Sequence, residues 1–112
     1  MYPDLKNKNA VITGAGKSTG IGFAIARELA KNGANIIIAD LGKGTIGDTT
    51  MMAGQLSQMQ QLAAELQKEY SVTAQALLCD VTNKESINEF AVKVSELFDS
   101  VHILCNNAGA TF

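Results

Sequence analysis

The stretch ANIIIAD, residues 34–40, limits the fold more than any other part of the chain. Successive side chains of a strand point to opposite faces. Three isoleucines in a row therefore need an apolar environment on both sides, as in a parallel sheet with helices packed above and below. Three more strand-type runs accompany it: NAVIT (9–13), VTAQALLC (72–79) and VHILCN (101–106). Between the runs lie helical patterns. Ile21, Ala24, Ile25 and Leu29 recur at helical spacing, and Gly33 stands where a helix C-cap glycine is expected. From Met51 to Tyr70, the positions Met52, Leu56, Met59, Ala63, Leu66 and Tyr70 form one stripe. Methionines in such a stripe read as gap-filling core. Thr82 and Glu85 make a capping box ahead of a third helix, whose apolar face is Ile87, Phe90, Ala91, Val94, Leu97 and Phe98. The order strand-helix-strand-helix-strand-helix-strand predicts an α/β chain with right-handed crossovers and one parallel sheet. No linker or repeat divides the chain, so residues 1–112 read as one domain with one core.

Composition excludes several classes. A net charge of −2 gives no electrostatic reason to expect nucleic acid or an anionic membrane surface as partner. No apolar run approaches the roughly 20 residues that span a bilayer. The opening MYPDLKNKN lacks an apolar signal core, which predicts a cytoplasmic protein. Cys79 and Cys105 each sit in an apolar run, as buried reduced thiols would; a disulfide between them is the alternative. Two cysteines without nearby histidines do not make a zinc site.

The segment VITGAGKSTGIGFAIA (11–26) holds two overlapping phosphate-binding patterns. The first is GKST, the end of a P-loop. A full P-loop needs a glycine five positions before Gly16, where Val11 stands inside the first strand, so an NTPase or kinase reading loses its first anchor. The second is a dinucleotide turn. Gly16, Gly20 and Gly22 follow a strand and open a helix, which is the context that fingerprint requires. Glycines let the main chain approach a diphosphate. The helix N-terminus then favours the negative charge. Asp40 ends the second strand, eighteen residues after Gly22. A carboxylate there accepts hydrogen bonds from the adenosine ribose and repels a 2′-phosphate, which favours NAD over NADP. Lys17 and Lys43 are the groups that would argue for the phosphate.

At this point the sequence resembles the short-chain dehydrogenase/reductase family. Four features carry the resemblance: TGAGKSTGIG after the first strand, Asp40 after the second, CDVT (79–82) after the third and NNAG (106–109) after the fourth. The resemblance implies a Rossmann-type doubly wound sheet, with these four strands in the order 3-2-1-4, as the NAD(P)-binding portion of a longer fold. It implies that Gly14, Gly16, Thr19, Gly20, Ile21 and Gly22 form the turn on the diphosphate. Asp80 would bond the adenine amino group and the Val81 backbone would touch the ring. Asn106, Asn107, Ala108 and Gly109 would brace the sheet and line the ribose, with Asn107 nearest the catalytic centre. The usual turn has three residues between its first two glycines, whereas five separate Gly14 from Gly20. Either Gly16 takes the first-glycine role or the loop bulges.

The implied function is an NAD-dependent oxidoreductase that moves a hydride between nicotinamide and an alcohol or carbonyl carbon, and that forms a homo-oligomer at full length. The family's serine and Tyr-x-x-x-Lys pair lie beyond the fourth strand, and no such pair follows it here. The chain is therefore expected to be the N-terminal part of a longer enzyme, inactive by itself. The alternative is a non-catalytic dinucleotide-binding module, or a subunit that a partner chain completes.

Overall fold

The computed structural model describes residues 5–15, 20–40, 49–79 and 84–106. Seven elements alternate along them: β1 (Asn9–Thr13), α1 (Ile21–Lys31), β2 (Asn35–Asp40), α2 (Thr49–Tyr70), β3 (Ala74–Leu78), α3 (Lys84–Leu97) and β4 (Ile103–Asn106). The strands form one sheet in the order β3-β2-β1-β4. Every neighbouring pair is parallel, with Ala10 opposite both Ile36 and Ile103, and Ile36 opposite Ala74. This is the doubly wound arrangement that the alternation predicts.

Chain direction explains which face each helix covers. From β1 to β3 the strands are added on one side, and α1 and α2 pack on one face. After β3 the chain returns past β1 to place β4. A crossover of the same hand then has to run over the opposite face, which is where α3 lies.

The face under α1 and α2 buries Ala10, Ile12, Ile36 and Ile38 against Phe23, Ala26, Ala30, Met59, Ala63 and Leu66. The other buries Val11 and Ile37 against Val94 and Phe98. The isoleucine run thus serves both cores: Ile36 and Ile38 face one way, Ile37 the other. Met59 is completely buried, as expected for a core methionine. Met52 lies among the α2 side chains outside the described set.

Two helix ends show how local sequence sets the turns. Gly33, with φ +95°, follows the Asn32 C-cap of α1. Its N–H reaches Ala30 O (2.9 Å) and that of Ala34 reaches Leu29 O (3.1 Å), a Schellman motif. Helix α2 ends on a non-glycine: Ser71 takes φ +56° and its N–H donates to Gln67 O (3.0 Å).

Two expectations need correction. Strands β3 and β4 are shorter than their apolar runs: Val72, Thr73, Val101 and His102 precede the paired segments. Strand β4 is also only half-buried, in the pattern intermediate-exposed-intermediate-exposed, because among the described residues β1 alone pairs with it. For the same reason Ile87, Ala91 and Leu97 of the α3 stripe are exposed while Val94 and Phe98 are buried. Cys79 is buried, Cys105 is half-buried, and no disulfide joins them. Among the described residues no helix is long and apolar enough to cross a membrane.

Candidate functional site

In a doubly wound sheet, ligands bind at the carboxyl ends of the strands, where the strand order reverses. Here the reversal falls between β1 and β4. The residues singled out from the sequence that the structure describes all gather there. β1 ends at Thr13, opposite Ala39 on one side and Asn106 on the other. Gly14 comes next with φ +69°, a backbone conformation that suits glycine and strains most other residues. The chain then tucks inward: Ala15 is fully buried and its N–H donates to Ala39 O (3.2 Å). The turn is thereby fixed to the end of β2.

Gly20 is the N-cap of α1, in an extended conformation (φ −84°, ψ 159°). Having no side chain, it cannot cap the first-turn amides as serine or aspartate would. The first turn also carries no acidic residue. That leaves the positive end of the helix dipole without a built-in counter-charge from its own first turn. Ile21 begins the helix with 73% of its surface exposed, and Gly22 behind it is buried. An exposed isoleucine beside a buried glycine shapes an apolar rim next to polar backbone.

Asp40 closes β2, half-buried, opposite Leu78. Its carbonyl accepts the Cys79 N–H (3.1 Å), tying the ends of β2 and β3. Strand alternation places Asp40 on the α1/α2 face and Thr13 and Asn106 on the α3 face. The end of β1 is thus bracketed by a carboxylate on one face and an amide on the other. Asn106 is exposed, and Thr13 Oγ1 donates to Cys105 O (3.4 Å), which links β1 to β4 at this end.

Gly16, Thr19, Asp80, Val81, Asn107, Ala108 and Gly109 lie outside the described residues, as do Lys17 and Lys43. Tyr2 and Lys6 stand four residues apart in the sequence, the spacing of the family's catalytic pair. They precede β1, however, and Lys6 packs at the amino end of the sheet, where its backbone abuts Gly33. Tyr70 also ends α2 on the amino side. Its phenol is held above the ordinary tyrosine value, first by desolvation and then by the neighbouring Glu69. A base for proton abstraction needs the opposite shift. Tyr70 therefore does not belong to the site, and Tyr2 lies outside the described residues.

The comparisons with known proteins agree with this geometry. A family model described as short chain dehydrogenase matches residues 8–112. The chain belongs to the short-chain dehydrogenase family. Among the family's members, L-rhamnose 1-dehydrogenase (NADP(+)) of Thermoplasma acidophilum is 40% identical over 106 residues, covering 95% of this chain and 36% of that protein. The alcohol dehydrogenase of the archaeon Thermococcus sibiricus, solved with 5-hydroxy-NADP, superposes with a TM-score of 0.78 at 34% identity, over 96% of this chain and 39% of that one. The L-sorbose reductase of Gluconobacter frateurii, solved with NADPH and L-sorbose, gives 0.76 at 30% identity, over 96% and 35%. The chain thus spans about two fifths, or less, of the length of these short-chain dehydrogenases.

The sequence alone did not point to Ala15 as the residue that anchors the turn. Its only signal was its place between two glycines.

Proposed function

We propose that this chain holds the dinucleotide of an oxidoreductase that transfers a hydride between a nicotinamide and an alcohol or carbonyl carbon. The observation that carries the proposal is the left-handed Gly14 beside the glycine-capped start of α1, at the point where the strand order reverses. That set fits a nicotinamide dinucleotide: bare main chain and a helix N-terminus for the diphosphate, and a carboxylate on the next strand for the adenosine ribose. The cofactor, when bound, supplies the hydride chemistry. The chain's own residues bind and orient. Gly14, Gly20 and Gly22 keep side chains away from the diphosphate. Asp40 accepts from the ribose hydroxyls, and Ile21 gives an apolar wall. Asn106, and Asn107 to Gly109 after it, lead from β4 toward the reacting end. Gly16 and Thr19 complete the turn, and Asp80 and Val81 take the adenine.

The choice between NAD and NADP turns on Asp40. Its carboxylate supports NAD, whereas the named relatives use NADP-type cofactors. Equilibrium binding of both cofactors, with ATP-magnesium as the control, tests the proposal. Asp40→Ala is expected to weaken NAD binding about tenfold, close to 1.4 kcal/mol, and to shift selectivity toward NADP. Unchanged affinity and selectivity in that variant would take Asp40 out of the site. ATP-magnesium binding tighter than either dinucleotide would return the P-loop reading. The substrate alcohol or carbonyl, and assembly into a homo-oligomer, belong to the same proposal for the whole protein. Size-exclusion chromatography with light scattering tests the second.

A further inference from the structure

One asparagine of the chain is followed by glycine: Asn32–Gly33, at the C-cap of α1. In an open chain such a step is chemically labile, because glycine brings no side chain to hinder ring closure. The Gly33 amide nitrogen, once its proton is lost, attacks the Asn32 side-chain carbonyl carbon. A bond forms from that nitrogen to Cγ, Nδ2 leaves as ammonia, and a cyclic imide remains. Water then opens the imide at either carbonyl, giving aspartate or isoaspartate. The net change is amide plus water to acid plus ammonia, with nothing oxidised or reduced.

The fold opposes each requirement of that closure. The attacking nitrogen has to give up its proton, yet the Gly33 N–H donates to Ala30 O (2.9 Å). The carbonyl carbon under attack has to swing toward that nitrogen, yet Asn32 Nδ2 donates to Glu28 O (2.8 Å), one turn back along the helix. The five-membered ring needs Cβ and the Gly33 nitrogen on the same side of the Cα–C bond. At ψ 11° the nitrogen lies turned away from Cβ. Asn32 is also buried, with 5% of its surface exposed, so hydroxide and water reach it poorly.

The joint has neighbours that a modification would disturb. Gly33 O accepts the Asn7 N–H (3.0 Å), and the Asn35 N–H donates to Lys8 O (2.8 Å), so the end of α1 is tied to the entries of β1 and β2. Aspartate at position 32 would lose the donor to Glu28 O and set a carboxylate at the negative end of the helix dipole. Isoaspartate would also lengthen the main chain inside the capped turn.

We propose that Asn32–Gly33 is a deamidation site which the C-cap of α1 holds closed, and which reacts when the last turn of the helix opens. The inference stands apart from the cofactor reading, since it concerns the opposite end of α1. Peptide mapping by mass spectrometry, with isoaspartate separated from aspartate, measures the rate at Asn32 in mildly alkaline buffer. The folded protein is compared with the same protein in concentrated urea and with a synthetic peptide of residues 28–36. Peptide and unfolded chain should react at similar rates, and the folded protein at least about tenfold more slowly, the ratio being set by local opening of the turn. Leu29→Ala removes a side chain that packs on the α1/α2 core and leaves the Asn–Gly step intact, so it should speed the folded reaction several-fold. Asn32→Asp copies one product, and protection of the Gly33 amide from exchange should fall in it about fivefold, as for the loss of one ordinary hydrogen bond. A folded protein that reacts as fast as the peptide, a peptide that does not react, a rate unchanged in Leu29→Ala, or Gly33 protection unchanged in Asn32→Asp would each overturn the proposal. If Leu29→Ala does not fold, the wild type with and without urea still decides it.

Discussion

The two faces of the sheet are built from the same strands but closed to different degrees. Under α1 and α2, Ile12, Ile36, Ile38 and Met59 have no measurable exposure. Under α3 a smaller cluster forms around Val11, Ile37, Val94 and Phe98. Beside it Leu104 is 62% exposed, and Ile87, Val92, Leu97 and Val101 are also open. Among the described residues two crossovers lay helices on the first face and one on the second. Stability is therefore concentrated on one side, and substitutions of similar chemistry should have unequal effects.

The sharpest test of that asymmetry compares two large-to-small changes. Ile38→Ala removes a fully enclosed side chain and should cost about 3–4 kcal/mol, the transfer term plus an unfilled cavity. Leu104→Ala should cost under about 0.5 kcal/mol, since little surface leaves a buried setting. Urea melts with matched slopes measure both. Equal losses would mean that the α3 face is as well sealed as the other.

A second test probes the backbone on the closed side. Gly33 joins the end of α1 to the turn before β1, where the Asn7 N–H donates to its carbonyl (3.0 Å). An added Cβ would have to adopt φ +95° and sit 3.2 Å from the Lys6 Cα. Gly33→Ala should destabilise by about 1–2 kcal/mol. A neutral result would show that this joint can relax, and would weaken the picture of a rigid α1/α2 side.

How much of this was legible in the sequence depends on the range of the contact. The isoleucine run reported a strand buried on both sides because each strand needs only its own alternation to say so. Gly33 reported its helix end because a Schellman turn is made within six residues. The site positions were legible for the same reason: Gly14, Gly20, Ile21, Gly22, Asp40 and Asn106 all sit at strand ends or a helix start that local pattern fixes. What local pattern could not report was neighbourhood. VHILCN reads as a buried strand, yet Leu104 is open because nothing pairs beyond β4 among the described residues. The α3 stripe has correct spacing, but one helix cannot shelter all of it against a narrow sheet. The hydrogen bond from the Asn9 N–H to His102 Nδ1 spans 93 positions, and no short-range signal marks it.

The smallest expected effect bears most directly on the open face. Leu104 lies opposite Val11 in the register, on the α3 side, so its side chain continues the apolar surface of the small cluster outward. Water already reaches most of it. Leu104→Lys removes apolar surface that the fold does not enclose and adds a charge at the sheet edge, a device that blunts edge-to-edge pairing. Stability should therefore change by no more than about 0.5 kcal/mol, while concentration-dependent association falls. Denaturant melts give the first quantity and light scattering over a dilution series the second. A large loss of stability with no change in association would mean that Leu104 is packed, and that the second face is closed after all. The opposite result, unchanged stability with reduced association, would show that the second face is less closed than the first around Leu104.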